Sequence, residues 1–554
     1  MKRKLKAIAA VLLVLVMLGS AMPMQLAAEA MTPPTTRYAT PDGYNDHDYQ
    51  KMVAFFEQTD ENGVRNGEKL SEDYDPTDPE TWRKYDGNYC RGTIKWTTVA
   101  GEYRLCEIFF GGRSTDAYPL ELVGFLDVSE CTALAKVRYA SFGDIQLTGL
   151  DVSGCTALEE LHCVRLSYAN YYSYNGIVEL NVSNCTALTG LDCFGNQLTE
   201  LDVSTNTGLV WLDCSGNQLT ELDVSTNAEL VRLDCSGNQL TELDISANAA
   251  LEELDCSENQ LTELDVSANT GLRTLYCSDN RLTNLDVSAN TGLRELDCSG
   301  NQLTELDISA NTGLWGLWCS GNQLTELDVS TNAELVWLGC SGNQLTELDV
   351  SAKAELYELD CSGNQLTELD VSTNAALYAL DCSDNQLTEL DISANAALYA
   401  LDCSGNQLTE LDLSNNSRID IDTISAEGSG FIGVGTERDE NYDFKWYCIK
   451  AVPVPGNSFC GWYAVDGTLL STNVEINRND FDGVNDFIAK FTASTPGGIG
   501  DVDGDGEITT YDALLIMRYA LGVETDGNEL IMDFDGNGCV DALDALLVLR
   551  RSIV

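Results

Sequence analysis

A chain of 554 residues with 88 acidic and 31 basic side chains carries a formal charge of −57. This excludes nucleic acid and anionic surfaces as partners, because both are held by clustered lysine and arginine. Only two histidines are present, His47 ahead of the repeats and His162 on a repeat strand, so Ser-His-Asp and Cys-His chemistry is poorly supported and no catalytic constellation is found.

Lys2, Arg3, Lys4 and Lys6 precede the apolar run 7–18, and Ala28-Glu29-Ala30 supplies a small-x-small cleavage site. Residues 1–30 therefore read as a secretory signal peptide, with the mature chain expected to start near Met31. No later stretch reaches the roughly 18 apolar residues of a membrane span. The expected location is extracellular, with retention at a scaffold or cell surface through the last segment. Residues 31–121, with Trp82, Cys90, Gly92, Trp96 and Cys106, come before the first repeat and are expected to cover its end. Cys90 with Cys106 is the candidate disulfide.

From Leu180 the unit LTELDVSxNxxLxxLDCSGNQ recurs with a 21-residue period to about Leu411, and looser copies begin at Leu126 and Leu150. A fixed period in this range predicts a solenoid, here over 122–417, in which each unit buries its apolar edge against its neighbours. The stretch Leu209-Val210-Trp211-Leu212-Asp213-Cys214-Ser215-Gly216-Asn217-Gln218-Leu219 has the form LxxLxCxxNxL and resembles a leucine-rich repeat of the bacterial 21-residue subclass. Leu219 to Asn227 restate the motif as a nested half-repeat, and 31–121 is then similar to the N-terminal caps of extracellular proteins of that kind. The resemblance implies parallel β strands joined by short loops, with Leu, Val and Cys inward and Asn217 and its counterparts bonding backbone groups of the turns.

Twenty cysteines ordinarily imply disulfides in a secreted chain, but eleven recur every 21 residues from Cys193 to Cys403. Strands about 4.8 Å apart stack them in one internal column, where neighbours meet only the short end of disulfide geometry. The column is expected to be reduced and core-filling. Fourteen LDxS-type turns give a length of about 65 Å, sized for a macromolecule.

Within the units, LTELD and CSGNQ hardly change, and variation concentrates around the second Leu of LxxLDC, on outward-facing strand positions. The first variable column reads Val210, Val231, Glu252, Arg273, Arg294, Trp315, Val336, Tyr357, Tyr378, Tyr399; the second contributes Trp211 and Trp337, the third Tyr276 and Trp318 among aspartates. Exposed Trp and Tyr anchor interfaces, and flat rings also stack on sugar faces. Trp211, Tyr276, Trp315, Trp318, Trp337, Tyr357, Tyr378 and Tyr399 are therefore the expected ligand face. The constant T-E-L-D half-repeats stack Glu221, Glu242, Glu263 and Asp223, Asp244, Asp265 into carboxylate columns, read as a solvated face, with calcium bridging as the alternative.

Residues 418–493 switch to short alternating apolar runs, as in Phe431-Ile432-Gly433-Val434 and Val474-Glu475-Ile476, which predict a small β-rich domain. Phe459-Cys460-Gly461-Trp462-Tyr463 and Phe487-Ile488-Ala489-Lys490-Phe491 resemble the internalin-type B-repeat family and imply a spacer, followed by a flexible joint at 494–500.

Two calcium-loop patterns, D-x-[DN]-x-[DN]-G-x5-acid, close the chain. Calcium takes six to eight hard oxygens from loop positions 1, 3, 5, 7, 9 and 12, with Gly at 6. The first set is Asp501, Asp503, Asp505, Glu507 by its carbonyl, Thr509 and Asp512; the second is Asp533, Asp535, Asn537, Cys539 by its carbonyl, Asp541 and Asp544. A helical apolar stretch follows each loop, 513–521 and 545–549, and no helix can enter the first through Pro496-Gly497-Gly498. This duplicated half EF-hand, 501–554, resembles a type I dockerin. The resemblance implies two bound Ca2+ ions, a small α-helical fold and a cohesin partner, contacted by Thr510, Tyr511, Arg518, Ala542, Leu543 and Arg550. Since Thr510-Tyr511 and Ala542-Leu543 differ, two-way symmetric binding is not expected. The function that this resemblance leads one to expect is non-catalytic recognition of a plant polysaccharide or wall protein from a cellulosome-like scaffold. Alternatives are an adhesin for host or neighbouring-cell proteins, and an accessory to polysaccharide-degrading hydrolases.

Overall fold

A computed structural model describes residues 37–86, 89–111, 122–141, 146–165, 176–416, 419, 423–427, 430–438, 444–453, 457–465, 467–477, 486–493, 513 and 516. The expected signal peptide at 1–30, the expected joint at 494–500 and both expected calcium loops lie outside the described residues. Two compact units divide the chain, Met1–Leu251 and Glu252–Val554. Among the described residues no helix is long and apolar enough to cross a membrane.

The first unit starts with helix α1 (Asp46–Phe56). Asn45 caps it by accepting from the Asp48 amide at 3.3 Å, and Asp46 and Asp48 in the first turn suit the positive end of the helix dipole. Its apolar face buries Tyr49, Met52, Val53, Phe55 and Phe56, with Tyr49 stacked on Trp82 at 5.4 Å and Phe55 beside Phe110 at 5.8 Å. Asp48 is fully buried but paired, with Arg104 Nε at 2.7 Å and the Leu105 amide at 3.0 Å on its Oδ2, as a buried charge must be. Strands Tyr89–Val99 and Glu102–Gly111 form an antiparallel hairpin whose second strand pairs in parallel with Lys136–Ser141. The N-terminal segment thus hands its edge directly to the first rung.

The expected Cys90–Cys106 disulfide is absent. Cys106 is a free thiol 3.4 Å from the Lys95 carbonyl, and the hairpin register sets Glu107 and Leu105 opposite Lys95 and Trp96. Cys90 lies five residues further along its strand, about 16 Å away at the usual rise, beyond the reach of any bridge.

In the first unit the parallel ladder continues through Glu160–Arg165, Gly190–Asp192, Trp211–Asp213 and Arg232–Asp234. The second unit carries Glu253–Asp255, Thr274–Tyr276, Glu295–Asp297, Gly316–Trp318, Trp337–Gly339, Glu358–Asp360, Ala379–Asp381 and Ala400–Asp402. Each three-residue strand sets its central leucine opposite that of the next, Leu275 against Leu296 and Leu317 against Leu338. A single turn buries Leu272, Leu275, Cys277, Leu282 and Val287 completely. At about 1.5–3 kcal/mol for each fully buried Leu or Val, these columns are the main source of cohesion. This is the predicted repeat solenoid.

Between strands, successive turns are tied by backbone bonds such as Gln302 to the Leu282 carbonyl at 2.9 Å and Gln323 to the Leu303 carbonyl at 2.8 Å, and two asparagine columns add to them. In the CxxN column, Asn301 Nδ2 donates to the carbonyls of Cys277, Cys298 and Ser299 at 3.0, 3.1 and 3.1 Å, while its Oδ1 accepts from the Leu282 amide at 2.9 Å. In the DxSxN column, Asn290 Nδ2 donates to Val266 and Asn269 carbonyls at 3.0 and 2.8 Å. The first turns fill this second column with cysteine: Cys155 and Cys185 donate through Sγ to Val128 and Val152 carbonyls at 3.2 and 3.0 Å. The 21-residue thiol column is buried and its cysteines form no disulfides, and burial pushes thiols such as Cys361 and Cys382 well above their ordinary range.

Lys353 replaces asparagine in the DxSxN column. It is fully buried, its Nζ 3.4 Å from the Ser330 carbonyl, and burial lowers its pKa against the opposing pull of Asp349 and Asp328. Lys353→Asn restores a neutral donor of the length used on the adjacent rungs and removes a buried ammonium. It is expected to raise stability by about 1–2 kcal/mol, read as a higher midpoint in urea unfolding; a lower midpoint would contradict this account.

After the last repeat rung, Glu410–Asp412 pairs antiparallel with Thr423–Glu427, which pairs with Asp486–Ala493, then Asn457–Tyr463 and Leu469–Ser471. A second sheet holds Gly430–Arg438, Phe444–Pro453 and Glu475–Asn477. Its first strand closes the solenoid: Val434 accepts the Cys403 amide at 2.8 Å, and Ile432 donates to the Leu408 carbonyl at 2.9 Å. The β-rich segment covers the open end of the array.

Candidate functional site

On most rungs of the second unit the outward Asp of LDCS caps its own turn. Asp297 and Asp360 accept from the amides of Ser299 and Ser362 at 3.0 and 3.1 Å. Three rungs lack this aspartate, replaced by Tyr276, Trp318 and Gly339, and on the last two, which are adjacent, Ser341 instead takes Ser320 Oγ, its amide at 3.1 Å and its hydroxyl at 3.0 Å. Register pairs Gly316 with Trp337 and Trp318 with Gly339, so each indole faces a glycine on the neighbouring strand. A Cβ at Gly316 would lie 2.6 Å from the Trp318 ring, and one at Gly339 3.1 Å from it. The glycines let Trp318 lie flat on the sheet.

Trp315 meets Trp337 at 4.6 Å and 53°, and Trp318 lies nearly parallel to Trp337, centroids 6.5 Å apart. Together they line a hollow of about 410 Å³ with Ser320, Leu338, Gly339 and three carboxylates, Glu295, Glu358 and Asp360. Glu295 accepts the hydroxyl of Tyr276; burial, then that bond, raises the tyrosine pKa.

The other expected ligand-face residues do not join the hollow. Tyr357, Tyr378 and Tyr399 stack on one another at 4.9 and 5.2 Å with interplanar angles of 4° and 15°, so their inner faces are spent on each other. Trp211, in the first unit, rests against His162 at 5.4 Å and over Gly190. Sequence reasoning missed Gly316, Gly339, Ser320, Glu295, Glu358 and Asp360. The signal was available in the glycines, which interrupt columns otherwise free of them in the second unit.

The carboxylate columns have two characters. On the T-E-L-D side, Asp223 and Asp244 accept from Ser225 and Ser246, which holds them below the ordinary carboxylate range. On the LDCS side, burial, with Asp402 and Asp360 adding to it, pushes Asp381 up to about 6 in spite of Ser383. A native pKa above the unfolded value means that the native state binds more protons, so this contribution is complete below about pH 4 and lost as pH rises through 6. Asp381→Asn is therefore expected to gain about 1–2 kcal/mol over the wild type at pH 8 and nothing at pH 4, as urea unfolding at both pH values would show.

His47, Asp48 and Cys131 also lie close together, but Asp48 is occupied by Arg104 and Leu105 and the group belongs to the N-terminal core. The calcium-loop residues and cohesin-contact positions lie outside the described residues. Their donor set is chemically suited to calcium, with four aspartates and a Thr hydroxyl in the first loop and four aspartates and an Asn in the second.

The family model of the type I dockerin domain matches residues 499–551, and that of leucine-rich repeats matches 249–290 and 270–313. Among solved structures the chain is similar to the functional domain of InlJ from Listeria monocytogenes, described as including a cysteine ladder. Identity is 28% over 62% of this chain and 88% of that one, with a TM-score of 0.44. It is also similar to a leucine-rich repeat protein of Leptospira interrogans, at 23% identity, 55% and 85% coverage and a TM-score of 0.43. For the internalin InlF of Listeria monocytogenes the values are 17%, 58%, 89% and 0.43. No curated protein matches. The chain is a leucine-rich repeat protein that carries a type I dockerin at residues 499–551.

Proposed function

We propose that the protein is a non-catalytic, extracellular recognition subunit. Its dockerin docks onto a cohesin of a scaffold in a cellulosome-like assembly, and its solenoid presents the three-tryptophan hollow to a protein of the plant cell wall. A dockerin implies cohesin docking and leucine-rich repeats imply a protein-binding solenoid. The observation that carries the ligand assignment is the hollow itself, where two rungs give up their turn-capping aspartate to seat Trp318 against Gly339. In the dockerin, Asp501, Asp503, Asp505, Thr509 and Asp512 with the Glu507 carbonyl, and Asp533, Asp535, Asn537, Asp541 and Asp544 with the Cys539 carbonyl, would hold the two calcium ions. The ions would tie each loop to the helix behind it and so present Thr510, Tyr511, Arg518, Ala542, Leu543 and Arg550. A wall polysaccharide is the second reading, favoured by the half-exposed indole faces.

Both halves can be tested on the full chain. Cohesin binding is expected in calcium and not in chelator, with Asp501→Ala/Asp533→Ala equally inactive; binding retained in chelator would sink the docking assignment. Capture of a plant-wall protein, lost in Trp315→Ala/Trp337→Ala, would support the leading ligand. Glycan capture lost in the same variant would transfer the site to the second reading, and capture indifferent to the tryptophans would remove the hollow from the function.

A further inference from the structure

The geometry points to a cationic occupant: the hollow takes an arginine side chain from an exposed basic segment of the protein partner. This rests on the reading above that the hollow is the ligand site, and deepens it by naming the chemistry.

None of the nine lining residues is basic, and three are carboxylates. Each carboxylate offers about four acceptor positions. Tyr276 engages one on Glu295, Ser362 uses Asp360 Oδ1, and Glu358 has an interaction of its own; with about four positions on each carboxylate, acceptor capacity remains. Donors are few: Ser320 Oγ already receives two bonds from Ser341, leaving its own proton and the indole N–H groups. A sugar brings acceptors along with its donors, whereas a guanidinium brings five donors and no acceptor. The tryptophans point the same way. A cation over an indole face is attracted by the ring quadrupole, more strongly as water is removed, and the planar guanidinium both stacks on such faces and meets carboxylates in bidentate fashion. At about 410 Å³ the hollow lies near the small end of ligand pockets, suited to one side chain and its flanking peptide. The overall charge of −57 draws basic partners toward it.

That charge attracts any polycation, so the test must be specific to the site. Acetyl-Gly-Arg-Gly-amide and its citrulline counterpart, neutral but of nearly the same shape, are titrated into the full chain by ligand-observed NMR at low and high salt. The arginine peptide should bind about tenfold more tightly than citrulline, and more weakly as salt rises. Glu295→Gln/Glu358→Gln should weaken it about tenfold at unchanged overall fold, and Trp337→Ala should abolish saturable binding. Equal binding of citrulline, salt-independent binding, or indifference to the glutamine substitutions would overturn the proposal. Binding of cellopentaose that is lost in Trp337→Ala but kept in the glutamine variant would preserve the site and refute its cationic occupant. Failure of the arginine peptide and cellopentaose to show any binding that Trp337→Ala removes would refute both.

Discussion

Asn301→Ala is expected to destabilise the repeat array by about 2–4 kcal/mol. The side chain makes four hydrogen bonds, three to carbonyls of Cys277, Cys298 and Ser299 and one from the Leu282 amide, and it is 7% exposed. Alanine leaves the buried Leu282 amide dry, at about 1–3 kcal/mol, and removes three further bonds from carbonyls that keep Asn280, Asn322 and the Asp279 amide as donors. Asn290→Ala provides the calibration. Its Nδ2 makes two bonds and its Oδ1 none, so about half the loss is expected. In a linear array a defect also weakens coupling between neighbours, and Asn301→Ala should broaden the urea transition as well as lower its midpoint. Equal effects of the two substitutions would mean that the columns act only through packing.

The two columns also mark how far the sequence could be read. A 21-residue period with Leu, Val and Cys at fixed places implies parallel rungs, an inward thiol column and hydrogen-bonding asparagines, and Trp315, Trp318 and Trp337 fall together because neighbouring rungs stack in register. What the pattern hides is substitution within a column. Cys155 and Cys185 stand where later turns use asparagine, and they make the same bond through Sγ; Lys353 sits in that column too, a buried cation that composition cannot reveal. The tyrosine stack was legible as a row, but its direction was not, because only the interplanar angles show that the rings face each other. The hollow depends on absences, Gly316 and Gly339, which a search for functional side chains passes over. Cys90 and Cys106 paired in expectation because both precede the repeats, and the hairpin register keeps them apart.

Gly433→Val is expected to open the end of the solenoid. A Cβ at Gly433 would lie 2.7 Å from Ser404 Cα and 3.3 Å from the Cys403 carbonyl oxygen, backbone atoms fixed in the last full turn, so the strand Gly430–Arg438 must withdraw. Withdrawal breaks the bonds from the Cys403 amide to Val434 and from Ile432 to Leu408, and it uncovers Cys403, Leu401 and Leu408, all now fully buried. Two lost hydrogen bonds and the exposure of part of this apolar end amount to about 3–5 kcal/mol. The thiol reports the event directly. Burial pushes Cys403 up to about 12, which makes it inert at neutral pH, because only the thiolate reacts. In Gly433→Val it should be alkylated by iodoacetamide under native conditions, while Cys361, interior to the same column, stays protected; mass spectrometry of the two peptides separates end-opening from global unfolding. Should Cys403 remain as protected as Cys361, the β-rich segment is not the cover of the array, and the last turn must be closed by its own side chains.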